Sequence, residues 1–256
     1  MILTDEEFQK EIGPCMSSDL VNELLMPFHI NYYLACQKID EVQHLYNSMR
    51  YFLWNAVKPD NLYYDAKLTD PLSILWHRHL NWQTAALWLN QCGDYLLQIA
   101  WLGLGLHKYN KITEETYKAA LKECNYNKVI AKLTQKDSKI ILPIIENYFR
   151  DSSEVREWVN QLKHRGIIDC EEIEGTLQNR CFSVNLNYGD GQSVCEDDLM
   201  PDLVSIEYAI STLVSTINRF QSALNQLIEY FDVNNFFHRN EDGAIIGTKA
   251  PKNPPI

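Results

Sequence analysis

Glycine and proline are scarce in this chain, 10 and 9 among 256 residues. That is too few for a loop-rich β-sandwich and comfortable for a helical protein. No two of the seven cysteines, Cys15, Cys36, Cys92, Cys124, Cys170, Cys181 and Cys195, form a CxxC pair, and the number is odd. A secreted disulfide framework and a structural zinc site are therefore disfavoured, and reduced, mostly buried thiols in a cytoplasmic protein are expected. The start, Met1-Ile2-Leu3-Thr4-Asp5-Glu6-Glu7, has no basic stretch and no apolar run, so it does not read as a signal peptide. The most apolar segment, Tyr95–Leu106, is twelve residues long, against the ~20 that a bilayer requires; no membrane partner is expected. A Gly-rich phosphate loop, a Gly-x-Ser-x-Gly elbow and a His-Glu-x-x-His pair are all absent. The net charge of −11 argues against non-specific coating of nucleic acid.

What is present is helical periodicity. Tyr32, Ala35, Ile39, Val42, Tyr46, Met49, Leu53 and Ala56 follow a 3-4 heptad rhythm, stopped by Pro59-Asp60-Asn61. A second long helix is expected from Leu72 to about Leu102, apolar nearly all round in its later half, with Gly103 and Gly105 as end signals. A third seam runs through Leu203, Ile206, Ile210, Leu213, Ile217, Phe220, Leu224, Leu227 and Phe231, with Pro201 placed for its first turn. Shorter helices fill 108–165: Thr113 caps one, Pro143 kinks or starts another, and Asp151 with Glu154 resembles a capping box opening a helix that Gly166 closes. Phe182, Val184, Leu186 and Tyr188 alternate with polar residues, and Gly189-Asp190-Gly191 then signals a turn. The reading is a mainly α protein: an antiparallel helical bundle over 28–237 with long heptad helices and a small β-hairpin insertion near 181–195. A leader (1–27) precedes it and a flexible tail (238–256) follows.

Charge is unevenly spread. Residues 108–165 hold 12 of the 23 Lys and Arg against eight acids, whereas the remainder holds 11 against 26. From Cys181 to Asn218 there is no Lys or Arg at all. Two readings stand for the basic segment: solvated faces laced with ion pairs, or a meeting place for RNA or another phosphate-bearing ligand.

The helix over 152–165 carries the sharpest candidate chemistry. Val155, Trp158, Val159 and Leu162 share one stripe, while Arg156, Asn160 and His164 form a row on the polar side, each four residues after the last. Lys163 lies beside the row and Arg165 follows it. Histidine exchanges a proton near neutral pH, arginine holds phosphate with two bonds, and asparagine orients either. Such a set supports metal-independent cleavage of an RNA backbone by the adjacent 2′-hydroxyl. The plainer reading is an exposed helix end whose cations face the C-terminal dipole.

Long antiparallel helices followed by a short one ending Asn160-Gln161-Leu162-Lys163-His164-Arg165-Gly166 resemble the HEPN superfamily. Its motif is Arg, four to six residues, then His, often with Asn directly after the Arg. His164 stands where the motif His would, and Asn160 where the Asn would. Val159 occupies the Arg position, and the nearest upstream arginine is Arg156. The resemblance implies a helical bundle, often a homodimer, acting on RNA as a metal-independent endoribonuclease of a toxin, defence or RNA-processing system. His164, Asn160 and Arg156 would then be catalytic, Arg165 and Lys163 would bind substrate, and no cofactor or metal would be needed. The alternative is a non-catalytic helical protein-interaction module.

Other constellations are thinner. Asp40, Glu41 and His44 would need more carboxylates from a facing helix, and the second helix supplies only Asp94. The paired acidic motifs of all-helical nucleotide pyrophosphohydrolases are missing. His77 and His79 point to different helix faces and read as packed or surface residues, not ligands.

Overall fold

A computed structural model describes residues 1–16, 30–58, 62–63, 66–67, 70–173, 185–188, 192–195, 203–231, 237–242 and 245–248. The chain is mainly helical. Two long helices, α2 (Ile30–Val57) and α3 (Pro71–Gly103), pack along each other, the latter capped by the Asp70 carboxylate on Ser73 N. All eight residues of the first heptad seam are at most 2% exposed. The two helices run in opposite directions. At one end Arg78 Nε donates to Ala56 O (2.9 Å). At the other, a Cβ on Gly103 would come within 3.0 Å of Ala35 Cβ and closer still to the Phe231 ring. Gly103 is the residue that lets these helices close on each other.

The last long helix, α8 (Ile206–Tyr230), lies against both of them. It runs parallel to α3: Arg78 pairs with Glu207 at its head (3.0 Å), and Phe231 meets Gly103 at its tail. The seam from Ile206 onward is buried, but it does not begin at Leu203. That residue is outside the helix and 46% exposed, because Ser205 caps α8 by accepting from Tyr208 N. Pro201 lies outside the described residues.

Four short helices follow α3: α4 (Glu114–Glu123), α5 (Tyr126–Gln135), α6 (Ile141–Asp151) and α7 (Ser153–Arg165). Thr113 caps α4 in a box with Thr116. Pro143 falls in the first turn of α6, where its missing N–H costs little. The expected capping box at Asp151 and Glu154 does not form. Asp151 is the last residue of α6, Ser152 precedes α7 without a side-chain cap, and Arg219 of α8 draws on both the Asp151 carbonyl (2.9 Å) and carboxylate (3.6 Å). Gly166 does close α7, in the left-handed conformation (φ 85°).

The segment read as a leader contains a helix, α1 (Asp5–Ile12), capped by a Thr4–Glu7 box. Phe8 and Ile12 are buried, Phe8 lies against Trp54 with ring centroids 5.1 Å apart, and Tyr46 Oη donates to Ile12 O (2.6 Å). Short antiparallel strand pairs join β1 (Leu62–Tyr63) to β2 (Ala66–Lys67), β3 (Asn185–Tyr188) to β4 (Gln192–Cys195), and β5 (Phe237–Arg239) to β6 (Ile245–Thr248). Residues 181–184 and the turn at Gly189-Asp190-Gly191 lie outside the described residues, as does most of the tail. One apolar cluster runs through helices α1 to α8.

Candidate functional site

Helix α7 is anchored by the stripe its sequence spacing marks. Val155, Trp158 and Val159 are at most 5% exposed, and Leu162 is buried beside them. Trp158 belongs to a column of rings that begins on α3: Trp76, His79 and Trp82 follow one another edge to face, Trp82 meets Trp158 at 5.5 Å, and Trp158 meets Tyr208 at 6.3 Å. His79 is buried within this column, with Gln83 Nε2 2.6 Å from His79 Nε2 and also donating to Ile168 O (3.0 Å). Burial lowers its pKa to about 4, against the opposing pull of Asp169 and Glu172. Of the two alternatives its sequence left open, packed or surface, His79 is packed.

With that stripe buried, the remaining faces of α7 are set. Asn160, Lys163 and His164 are exposed; the Arg165 side chain lies outside the described residues. Arg156 is half-buried. Its guanidinium lies over the Phe149 ring, 4.9 Å from the centroid, and lines a cleft of about 470 Å³ between α3, the start of α5, α6 and α7. Asp94, Gln98, Cys124, Asn125, Tyr126 and Asn127 line it too. Crowding by the cleft raises the Asp94 pKa, while Lys163 and Arg156 pull it back down. Arg156 and Lys163, two turns apart, thus address one carboxyl group on α3. Asn160 and His164 do not line the cleft. Eight residues at ~1.5 Å rise put Arg156 and His164 about 12 Å apart along the helix axis. One protomer therefore does not gather Arg156, Asn160 and His164 around a single phosphate.

The opposite flank of α7 is acidic. Glu154, Glu157 and Gln161 line a second cleft of about 500 Å³ with Trp158, Glu171, Leu203 and Tyr208. The Tyr208 hydroxyl has its pKa raised by a hydrogen bond to Glu154.

The basic segment is partly neutralised. Lys108 pairs with Glu123, Lys118 with Glu114, Lys139 with Asp137 and Arg150 with Asp151. Lys122, Lys128, Arg156 and Lys163 have no ion pair among the described residues. Elsewhere, Lys38 is buried beside Glu41 (2.5 Å) and near the Tyr95 and Tyr117 rings. Burial lowers its pKa, but hydrogen bonds to Glu41 and Tyr117 outweigh that and leave it raised, so the amine stays protonated. Burial pushes the thiols of Cys36 and Cys124 up to about 12, which makes them poor nucleophiles. Among the described residues, no group of three or more His, Cys, Asp or Glu is placed to hold a metal ion. No described helix is long and apolar enough to cross a membrane.

Sequence spacing alone missed most of the cleft. Its lining comes from four elements between residues 94 and 156, and no local periodicity links Asp94 to Tyr126 or Phe149. Comparison with protein-family models, curated proteins and solved structures finds no match.

Proposed function

We propose that the chain is an RNA-directed helical-bundle protein of the HEPN-like type, with a small β-hairpin insertion, cytoplasmic and homodimeric. In this reading α7 handles the RNA phosphate and His164 is the proton-transfer group of a metal-independent endoribonuclease. The observation that carries it is the polar face of α7. Asn160, Lys163 and His164 stand in solvent, and the guanidinium of Arg156 sits at the head of the same row without an ion pair among the described residues. Arg156 and His164 are ~12 Å apart along the helix, so in this reading a second copy completes the site, with Arg156 or Arg165 of one protomer serving His164 of the other. Lys122 and Lys128, on α4 and α5, are exposed and have no ion pair among the described residues, which leaves their charge available to a polyanion.

The same separation favours a second reading, a non-catalytic interaction module. One experiment chooses between them: cleavage of a mixed RNA pool in EDTA by wild type and His164→Ala, with helicity and oligomeric state checked for both. Loss of ~100-fold or more in the variant fits the removal of a general acid or base. No cleavage by either protein favours the protein-interaction module instead.

A further inference from the structure

The cleft beside α7 has the chemistry of a nucleobase pocket. One wall is made of flat groups in contact: Tyr126 and Phe149 have ring centroids 4.9 Å apart at an interplanar angle of 32°, and the Arg156 guanidinium lies over Phe149. Phe149 is itself buried, so the surfaces left to a ligand belong to the half-buried Tyr126 and Arg156. Unpaired bases stack on such aromatic and guanidinium planes, at roughly 1–3 kcal/mol per base. The volume, about 470 Å³, falls within the usual range for small-molecule sites, roughly 300–1,000 Å³.

The polar lining is equally specific. Asn125 is occupied: its Oδ1 accepts from Lys128 N (3.1 Å) and its Nδ2 donates to Glu123 O (3.3 Å). The side-chain amides of Gln98 and Asn127 make no hydrogen bond among the described residues, and neither does the Asp94 carboxylate. The cleft therefore holds two free amides and one free carboxylate beside its stacking wall. A carboxylate is an acceptor only. Among the four RNA bases, guanine alone presents two adjacent N–H donors on its Watson–Crick edge. Lys163 and Arg156 stand close enough to Asp94 to act on it electrostatically, and they would also meet the phosphate that accompanies the base.

We propose that this cleft binds a single unpaired guanine, stacked against the half-buried Arg156 guanidinium, with Asp94 accepting from its Watson–Crick edge and Gln98 and Asn127 completing the contacts. The proposal rests on the RNA-directed reading and adds to it the base that the protein selects.

Calorimetric titration of the full chain with guanosine, adenosine, cytidine and uridine 5′-monophosphates tests it, alongside binding of single-stranded RNA with and without guanine. Wild type is expected to bind the guanine nucleotide at least tenfold more tightly than the other three. Asp94→Asn, a near-isosteric change at an exposed position, is expected to abolish that preference. Arg156→Met, which keeps a side chain over Phe149, is expected to weaken all four nucleotides several-fold. Equal binding of the four nucleotides, or a guanine preference that survives Asp94→Asn, overturns the proposal. RNA binding indifferent to guanine and to both substitutions overturns it while leaving the RNA-directed reading standing. Guanine-nucleotide binding without binding of any RNA does the reverse.

Discussion

The two flanks of α7 are built on one buried stripe and differ in everything that faces outward. On one side Arg156 and Lys163 overlook a cleft with an aromatic wall and a lone carboxyl group, Asp94. On the other, Glu154, Glu157 and Glu171 line a cleft of similar size against Trp158 and Tyr208. A helix of thirteen residues thus separates a flank with two cations from one lined by three glutamates. Burial decides how the helix sits, and the residues one or two positions away from the stripe decide what each side attracts.

The stripe is the element on which both flanks depend, so the largest effect is expected there. Trp158→Ala should destabilise the fold by about 3–5 kcal/mol, measured by denaturant unfolding, because it empties a site packed against Trp82 and Tyr208. A cost below 1 kcal/mol would mean that α7 is not anchored this way. Next comes pH. His79 sits beneath the stripe with a pKa lowered from 6.5 to about 4, held between Trp76 and Trp82, bonded by Gln83 and facing Asp169 and Glu172. Between those two values the unfolded chain binds the extra proton, so stability rises with pH across that window, by up to about 1.4 kcal/mol per unit. His79→Phe should flatten that part of the stability profile.

Gly166→Ala comes third. With φ at 85° and open space around it, the glycine is needed for its conformation and not for its size; the change should cost about 1–2 kcal/mol. The flanks themselves are distinguished by smaller effects. Lys163→Ala should lower the salt dependence of single-stranded RNA binding by about 0.7 in log–log slope for one lost phosphate contact. Glu157→Gln should leave stability within about 0.5 kcal/mol and should not weaken RNA binding. Equal losses from both substitutions would erase the distinction between the flanks.

How far the structure could be read in advance varied with the length of the pattern. The seams of α2 and α8 repeat often enough that local irregularities do not disturb them. α7 has only a four-residue stripe, yet 3.6-residue geometry still places Arg156, Asn160 and His164 off it correctly. Reading failed where another residue, near or far in the chain, intervened. Leu203 continues the rhythm of α8, but Ser205 captures the helix start. Asp151 has the spacing of a cap, but α6 uses it as a last turn and Arg219, 68 residues away, binds it. α1 looked like a leader because two buried residues, Phe8 and Ile12, are too few to form a recognisable period. Asp94 was legible only as an isolated acid on an apolar helix.

The sequence by itself determined a mainly helical protein, the faces its long helices bury, and the side of α7 left polar. These follow from the periodic placement of apolar residues, and a helix exposes such periodicity within a few turns. Only the tertiary structure decided that Arg156 turns to Phe149 while His164 stays in solvent, and that Asp94, Tyr126 and Phe149 share one cleft. Those arrangements depend on which helices meet and at what height, a choice made by close packing between residues far apart in the chain.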